Sequence, residues 1–193
     1  EGRDIVPARV WRIGEDVSRI MGKRSDFTRV ERDYYPTPRA ALIPLLPHLG
    51  KRSHFVEPCA GDGRLARNLE AEGHICLDAF DIEPQHKDVR QADALNQDGR
   101  HLVPCSMVTN PPWSRNFLHQ LIERWRVQMP TWLLFDADWA HTQQAAPFLP
   151  YCHKIVAVGR IKWIEGSNHT GKDNCCWHLF GNIPAPTVFY GRP

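Results

Sequence analysis

Hydrophobic positions along the chain fall into short apolar runs separated by polar, Gly- or Pro-marked segments, and the two periods of helix and strand alternate. The stretch 38–49 is an apolar helix with Pro38 at its start and Gly50 after it, shortened or kinked by Pro44 and Pro47. His54–Glu57 is a short strand. A Gly turn and a helix over 64–72 follow, and Gly73 stops that helix. Further strands are expected at Ile75–Asp81, 89–92, Ser106–Thr109 and 131–135, with helices at 114–127 and 140–148. The runs 154–161 and Cys175–Phe180 have no helical pattern between them, so they are expected to pair antiparallel through a long loop. The earlier β–α alternation demands crossovers. The reading is an α/β protein with a mostly parallel seven-stranded sheet, an antiparallel final strand pair and helices on both faces. Residues 1–33 carry weak periodicity and read as an N-terminal extension with a short helix around 15–21; residues 34–193 read as one domain.

Composition narrows the class. At 193 residues, 42% hydrophobic and 24% charged, the chain suits a globular protein with a core that needs no disulfide staples. No run approaches a membrane span, and the charged N-terminus has no signal-peptide apolar region, so a cytoplasmic location is expected. With 24 basic and 22 acidic residues the net charge is only +2, so charge alone does not argue for nucleic-acid binding. The six cysteines lack CxxC spacing and sit mostly in apolar runs, as small thiols of a reducing compartment do. The ten histidines lack ligand spacing, and no metal is expected.

Candidate chemistry begins at Phe55-Val-Glu-Pro-Cys-Ala-Gly-Asp-Gly-Arg-Leu65, where Gly61 and Gly63 lie between a strand and a helix. Glycine lets the backbone approach a ligand, and a helix N-terminus offers free N–H groups. Asp81 ends the second strand 20 residues after Gly61, where an acid accepts hydrogen bonds from both hydroxyls of a ribose. Asp93 ends the next strand candidate, placed to accept from an adenine amino group. The third glycine of the dinucleotide fingerprint is missing, and so is a Walker pattern. Glu57, just before the glycines, disfavours phosphate but suits an ammonium or sulfonium. S-adenosylmethionine combines a ribose, an adenine, an ammonium and a sulfonium.

Asn110-Pro111-Pro112-Trp113 ends the fourth strand, at the carboxyl edge where open α/β sheets bind ligands. The prolines stiffen the turn and donate no hydrogen bonds. The Pro111 carbonyl and the Asn110 side-chain oxygen are thereby two acceptors for the hydrogens of an exocyclic amine. Trp113 offers a flat face for a planar base.

On these residues the sequence resembles the class I S-adenosylmethionine-dependent methyltransferases of the amino-methylating type. It is most similar to the small phage- and prophage-type DNA N6-adenine methyltransferases. The likeness runs from Asp33 to Phe180. It includes Asp33-Tyr-Tyr-Pro-Thr-Pro38, the Glu57–Gly63 turn, Asp81, Asp93, the N-P-P-W tetrapeptide and the stretch 162–177. The resemblance implies a Rossmann-like class I methyltransferase fold. Tyr35, Thr37 and Pro38 would border the methionine end of the cofactor. Glu57, Cys59, Ala60, Gly61 and Gly63 would wrap that end, with Glu57 toward the amino group. Asp81 would hold the ribose, Ile82 would pack on the adenine and Asp93 would read its amino group. Asn110 and Pro111 would hold the target amine, and Trp113 would stack on the target base.

The implied reaction is direct in-line transfer of a methyl group to the N6 amine of adenine in DNA, with no covalent enzyme intermediate. The same tetrapeptide also serves RNA and protein-glutamine methylation, and a non-catalytic cofactor-binding subunit is the alternative of a different class. Only 17 residues separate Trp113 from Thr131 and 13 follow Phe180, so no separate target-recognition domain is expected. Recognition is expected from the N-terminal extension, from the loop 165–174, or from a partner subunit or second copy. That loop carries His169, Lys172 and Asn174; with Trp139 and Trp163, each near a strand end, they complete the candidate substrate-binding set.

Overall fold

The computed structural model describes residues 35–102, 104–164 and 170–192. The expected 15–21 helix and His169 lie outside them. Among the described residues eight strands form one sheet in the order β3-β2-β1-β4-β5-β7-β6-β8. They are β1 (His54–Glu57), β2 (Ile75–Asp81), β3 (Arg90–Gln91), β4 (Ser106–Thr109), β5 (Thr131–Asp136), β6 (Cys152–Gly159), β7 (Cys175–Phe180) and β8 (Val188–Tyr190). Strands β1 to β5 run parallel. β7 lies antiparallel between β5 and β6, and β8 closes the edge parallel to β6.

Two apolar layers sandwich the sheet because alternate strand residues point to opposite faces. On one face Val56, Met107, Leu133 and Phe135 pack under α3 (Arg115–Trp125). That helix buries Leu118, Leu121, Ile122 and Trp125, the spacing of a single helical stripe. On the other face Phe55, Val108, Trp132 and Leu134 meet α2 (Arg64–Ala71) and α1 (Arg39–Leu42). The expected helix over 38–49 breaks after Leu42 and resumes only as a 3-10 turn at Leu46–His48, as its prolines demand. The Trp177 indole N–H on β7 donates to the Ala41 carbonyl at 2.8 Å, pinning α1 to the sheet and with it the segment that precedes α1.

Two expectations need correction. The helix over 140–148 does not form. Three 3-10 turns, Ala137–His141, Gln143–Ala145 and Leu149–Tyr151, span the region instead, since Pro147 and Pro150 deny a continuous α-helical ladder. The sheet has eight strands rather than seven: Val188–Tyr190, after a proline-rich turn, adds an outer strand.

Candidate functional site

The sheet order steps from β1 to β2 on one side and from β1 to β4 on the other, which opens a crevice at the carboxyl ends of these strands. A cleft of about 640 Å³ occupies that crevice. The turn after β1, the end of β2, the corner after β4 and the segment 35–37 before α1 all contribute to its wall.

The glycine turn is held by the strand beside it. Gly61 has φ +54° and Gly63 φ +75°, left-handed backbone that glycine adopts without penalty. Asp81 at the end of β2 accepts the Gly61 N–H at 2.9 Å through one carboxylate oxygen and the Glu83 N–H at 2.8 Å through the other. Further main-chain bonds, from the Ala60 N–H to the Phe80 carbonyl (3.0 Å) and from the Gln85 N–H to the Gly61 carbonyl (2.9 Å), complete the clasp. Asp93 also faces the cleft, with one oxygen accepting the Leu95 N–H at 2.9 Å and the other the Asn96 side chain at 2.8 Å. Ile82, 59% exposed, and Phe117 present apolar surface between these polar groups.

Glu57 behaves differently from expectation. It is buried and does not line the cleft. Its Oε2 accepts the Ala66 N–H at 2.8 Å, capping the first turn of α2 from the strand side. Burial pushes its carboxyl well above the ordinary range, and the Ala66 N–H only partly opposes that. Gly63 likewise stands behind the cleft as the left-handed N-cap of α2, where a Cβ would come within 3.2 Å of Arg67 and Val89. Pro38 caps α1 and also lies off the wall. Tyr35, Thr37, Cys59, Ala60 and Gly61 do line it, as do Asp81, Ile82, Asp93 and Asn110. Burial and the neighbouring Asp81 and Glu57 carboxyl groups raise the Cys59 thiol well above its usual value, which disfavours the thiolate.

At the corner after β4, Asn110 and Pro112 face the cleft while Pro111 is buried beneath it. The Asn110 amide is tied at both ends. Its Nδ2 donates to the Tyr35 carbonyl at 3.3 Å, and its Oδ1 accepts the Trp113 indole N–H at 3.3 Å. Trp113 is half-buried outside the cleft wall, and Trp163 meets it edge-on at 5.9 Å. Arg115 at the start of α3 pairs with Asp136 at the end of β5 at 2.7 Å, bracing the corner from the far side.

The remaining substrate candidates divide. Trp163 stands at the corner, 6.2 Å from Tyr35. Lys172 and Asn174 are exposed and lie off the cleft wall; the Asn174 carbonyl is tied to the Ala137 N–H. Trp139 does not reach the rim. The 3-10 turn after β5 carries it into the core, fully buried, where its N–H donates to His119 at 3.0 Å and Phe135 packs edge-on at 5.2 Å. Sequence reading missed the wall residues Glu83, Gln85, Ser114 and Phe117. Their signal was proximity: each lies within a helical turn of Asp81 or of the Asn-Pro-Pro-Trp corner.

The chemistry of this wall fits S-adenosylmethionine. Acids stand where hydroxyl and amino groups would be read, apolar surface where a purine would lie, and the volume suits a small cofactor. Among the described residues no group of three or more His, Cys, Asp or Glu is placed to hold a metal, and no helix is long and apolar enough to cross a membrane. All six cysteines are free thiols.

Comparison with known proteins agrees at the level of fold. No protein-family model and no curated protein matches the sequence. The structure is similar to that of the 23S rRNA methyltransferase ErmE, with a TM-score of 0.50 at 14% identity over 78% of this chain and 71% of that one. PH1948 of Pyrococcus horikoshii, a candidate RNA methyltransferase, gives 0.50 at 16% identity over 83% and 93%. A Thermoplasma acidophilum protein, 1320, gives 0.50 at 19% identity over 73% and 82%. The fold is the Rossmann-like fold of class I methyltransferases.

Proposed function

We propose that the chain is an S-adenosylmethionine-dependent methyltransferase acting on the N6 amine of adenine in DNA. One observation carries the reading: Asn110 and Asp81 line the same cleft, so the corner suited to an amine and the acid suited to a ribose address a common space. The Asn110–Trp113 motif supports an amine as methyl acceptor, and the resemblance that includes Asp33–Pro38 supports the choice of adenine in DNA.

When bound, the cofactor supplies an electrophilic methyl group on a sulfonium. The chain's own part is positioning. Asp81 would hold the ribose hydroxyls, Ile82 and Asp93 the adenine, and Tyr35, Thr37 and the 59–61 backbone the methionine end. Asn110 Oδ1 would accept a hydrogen of the target amine, turning the nitrogen lone pair away from the ring, with Pro111, buried beneath the cleft, stiffening the turn that holds it. The aromatic corner, Trp113 with Trp163 beside it, would supply a face for a base taken out of its stack, which costs a few kcal/mol in a duplex. Orientation and fixed dipoles carry much of the acceleration in such a site.

The test offers the purified chain single- and double-stranded DNA, RNA and protein together with methyl-labelled cofactor. Label recovered as N6-methyladenine in DNA is the expected result. Label in RNA or in glutamine side chains reassigns the substrate, and cofactor binding with no transfer to any of them overturns the enzymatic reading. Asn110→Ala is expected to bind cofactor nearly normally while transfer collapses; equal loss of both would mean that the corner is structural.

A further inference from the structure

The aromatic of the Asn-Pro-Pro-Trp corner does more here than offer a flat face. Its indole N–H points at Asn110 Oδ1 (3.3 Å) and is shared with the Leu134 carbonyl (3.2 Å). At the other end of the same amide, Asn110 Nδ2 donates to the Tyr35 carbonyl (3.3 Å). A primary amide can be turned end for end at little cost of shape, since its oxygen and nitrogen are nearly the same size. The two partners remove that freedom. An indole N–H only donates, so it selects the oxygen; a main-chain carbonyl only accepts, so it selects the NH₂. The reversed amide would set N–H against NH₂ and carbonyl against carbonyl, and lose both hydrogen bonds.

The indole is itself held. Trp163 packs edge-on against it at 5.9 Å and lies 6.2 Å from Tyr35, so Tyr35, Asn110, Trp113 and Trp163 close a ring of contacts. Gly171 backs that ring: a Cβ there would stand 3.0 Å from the Trp163 indole nitrogen. Four chain segments therefore converge on the orientation of one amide.

We propose that Trp113 is a positioning residue whose indole N–H holds the Asn110 amide with its oxygen in the accepting orientation. Oδ1 keeps a second lone pair for a hydrogen of the target amine, whereas the NH₂ end has none to offer. The catalytic consequence rests on the function proposed above; the orientation of the amide does not. A phenylalanine at this position would keep a flat face and lose the donor, so stacking and positioning separate experimentally.

The experiment compares wild type with Trp113→Phe and with a chain carrying benzothienylalanine at 113, which keeps the bicyclic shape and replaces N–H by sulfur. Two readouts are taken: steady-state kinetics on adenine-containing DNA, and the side-chain amide signals of Asn110 by nuclear magnetic resonance, assigned with Asn110→Ala. In both variants kcat is expected to fall about tenfold, the weight of one hydrogen bond, while KM for DNA and cofactor affinity stay unchanged. The Asn110 amide proton shifts are expected to move toward those of an unrestrained asparagine side chain as the amide becomes free to turn about its Cβ–Cγ bond. If either kcat or the amide signals of the benzothienyl chain match wild type, the proposal fails. Should the wild-type chain methylate no substrate, the proposed function falls and the amide signals alone decide the positioning.

Discussion

Both oxygens of Asp81 accept backbone N–H groups, from Gly61 on the turn and from Glu83 beyond the strand, and each oxygen retains a lone pair toward the cleft. Asp81→Ala is therefore expected to weaken cofactor binding by about 1.5–3 kcal/mol, the weight of hydrogen bonds to a charged group. Calorimetric titration checks it, and unchanged affinity would remove Asp81 from the site. His178 presents the opposite case, a buried polar group whose contacts with the Cys176 and Leu133 backbone fall short of good hydrogen-bond geometry. It is fully buried on β7, stacked on Phe135 at 3.9 Å, and neither ring nitrogen makes a hydrogen bond of good geometry. Burial lowers its pKa from 6.5 to about 3. A base whose folded pKa is depressed leaves the unfolded chain holding more protons between those values, so stability falls as pH drops from 6.5 toward 3. His178→Phe is expected to gain about 1–3 kcal/mol by removing unsatisfied buried nitrogens. Denaturant unfolding across that range should show the acid decline of wild type reduced in the variant. Residues of this kind mark what could be read in advance and what could not. The cleft positions of Asp81 and Asn110 follow from strand ends and glycine spacing, which are local. The inward turn of Trp139 depends on the 3-10 path after β5 and on His119 across the layer, which no spacing reveals.

Among the elements, α2 is the one whose placement governs the turn. Its first turn lacks a side-chain cap at Gly63 and takes its acceptor instead from Glu57 on β1, through the Ala66 N–H. Gly63 must hold φ +75° for that approach, and a methyl group there would meet Arg67 and Val89 at 3.2 Å. Gly63→Ala is accordingly expected to cost about 1–2 kcal/mol from the left-handed backbone alone. Thermal unfolding measures it, and a variant as stable as wild type would show that the turn can relax. Strands with alternating or wholly apolar residues, such as His54–Glu57, Ile75–Asp81 and Ser106–Thr109, were legible to the residue. β8 was not: it is three residues long, follows Pro184 and Pro186, and is defined by its pairing with β6 rather than by its own pattern. The segment 137–151 misled for a related reason. Its apolar residues are spaced for burial, but its prolines permit only short 3-10 turns.

For the molecule as a whole, two buried titratable groups bear on stability from opposite sides of the pH scale. His178 penalises acid, as above. Glu57 has a raised folded pKa, so between its unfolded and folded values the native chain holds more protons, and stability falls as pH rises through that window. Glu57→Gln keeps an acceptor for the Ala66 N–H and removes the charge. It is expected to unfold at a higher temperature than wild type at alkaline pH and to match it in acid; a variant less stable throughout would mean that the carboxylate is needed as a charge. The sheet order has a separate bearing on how the molecule comes into being. Among the described residues β6 pairs only with β7 and β8, and β7 alone joins it to β5. A nascent chain emerging from the ribosome therefore leaves one edge of β5 and both edges of β6 unpaired until Cys175–Phe180 has left the exit tunnel. Cys175–Phe180 is the keystone of this side of the sheet, and until it arrives these edges stand open to pairing with another chain.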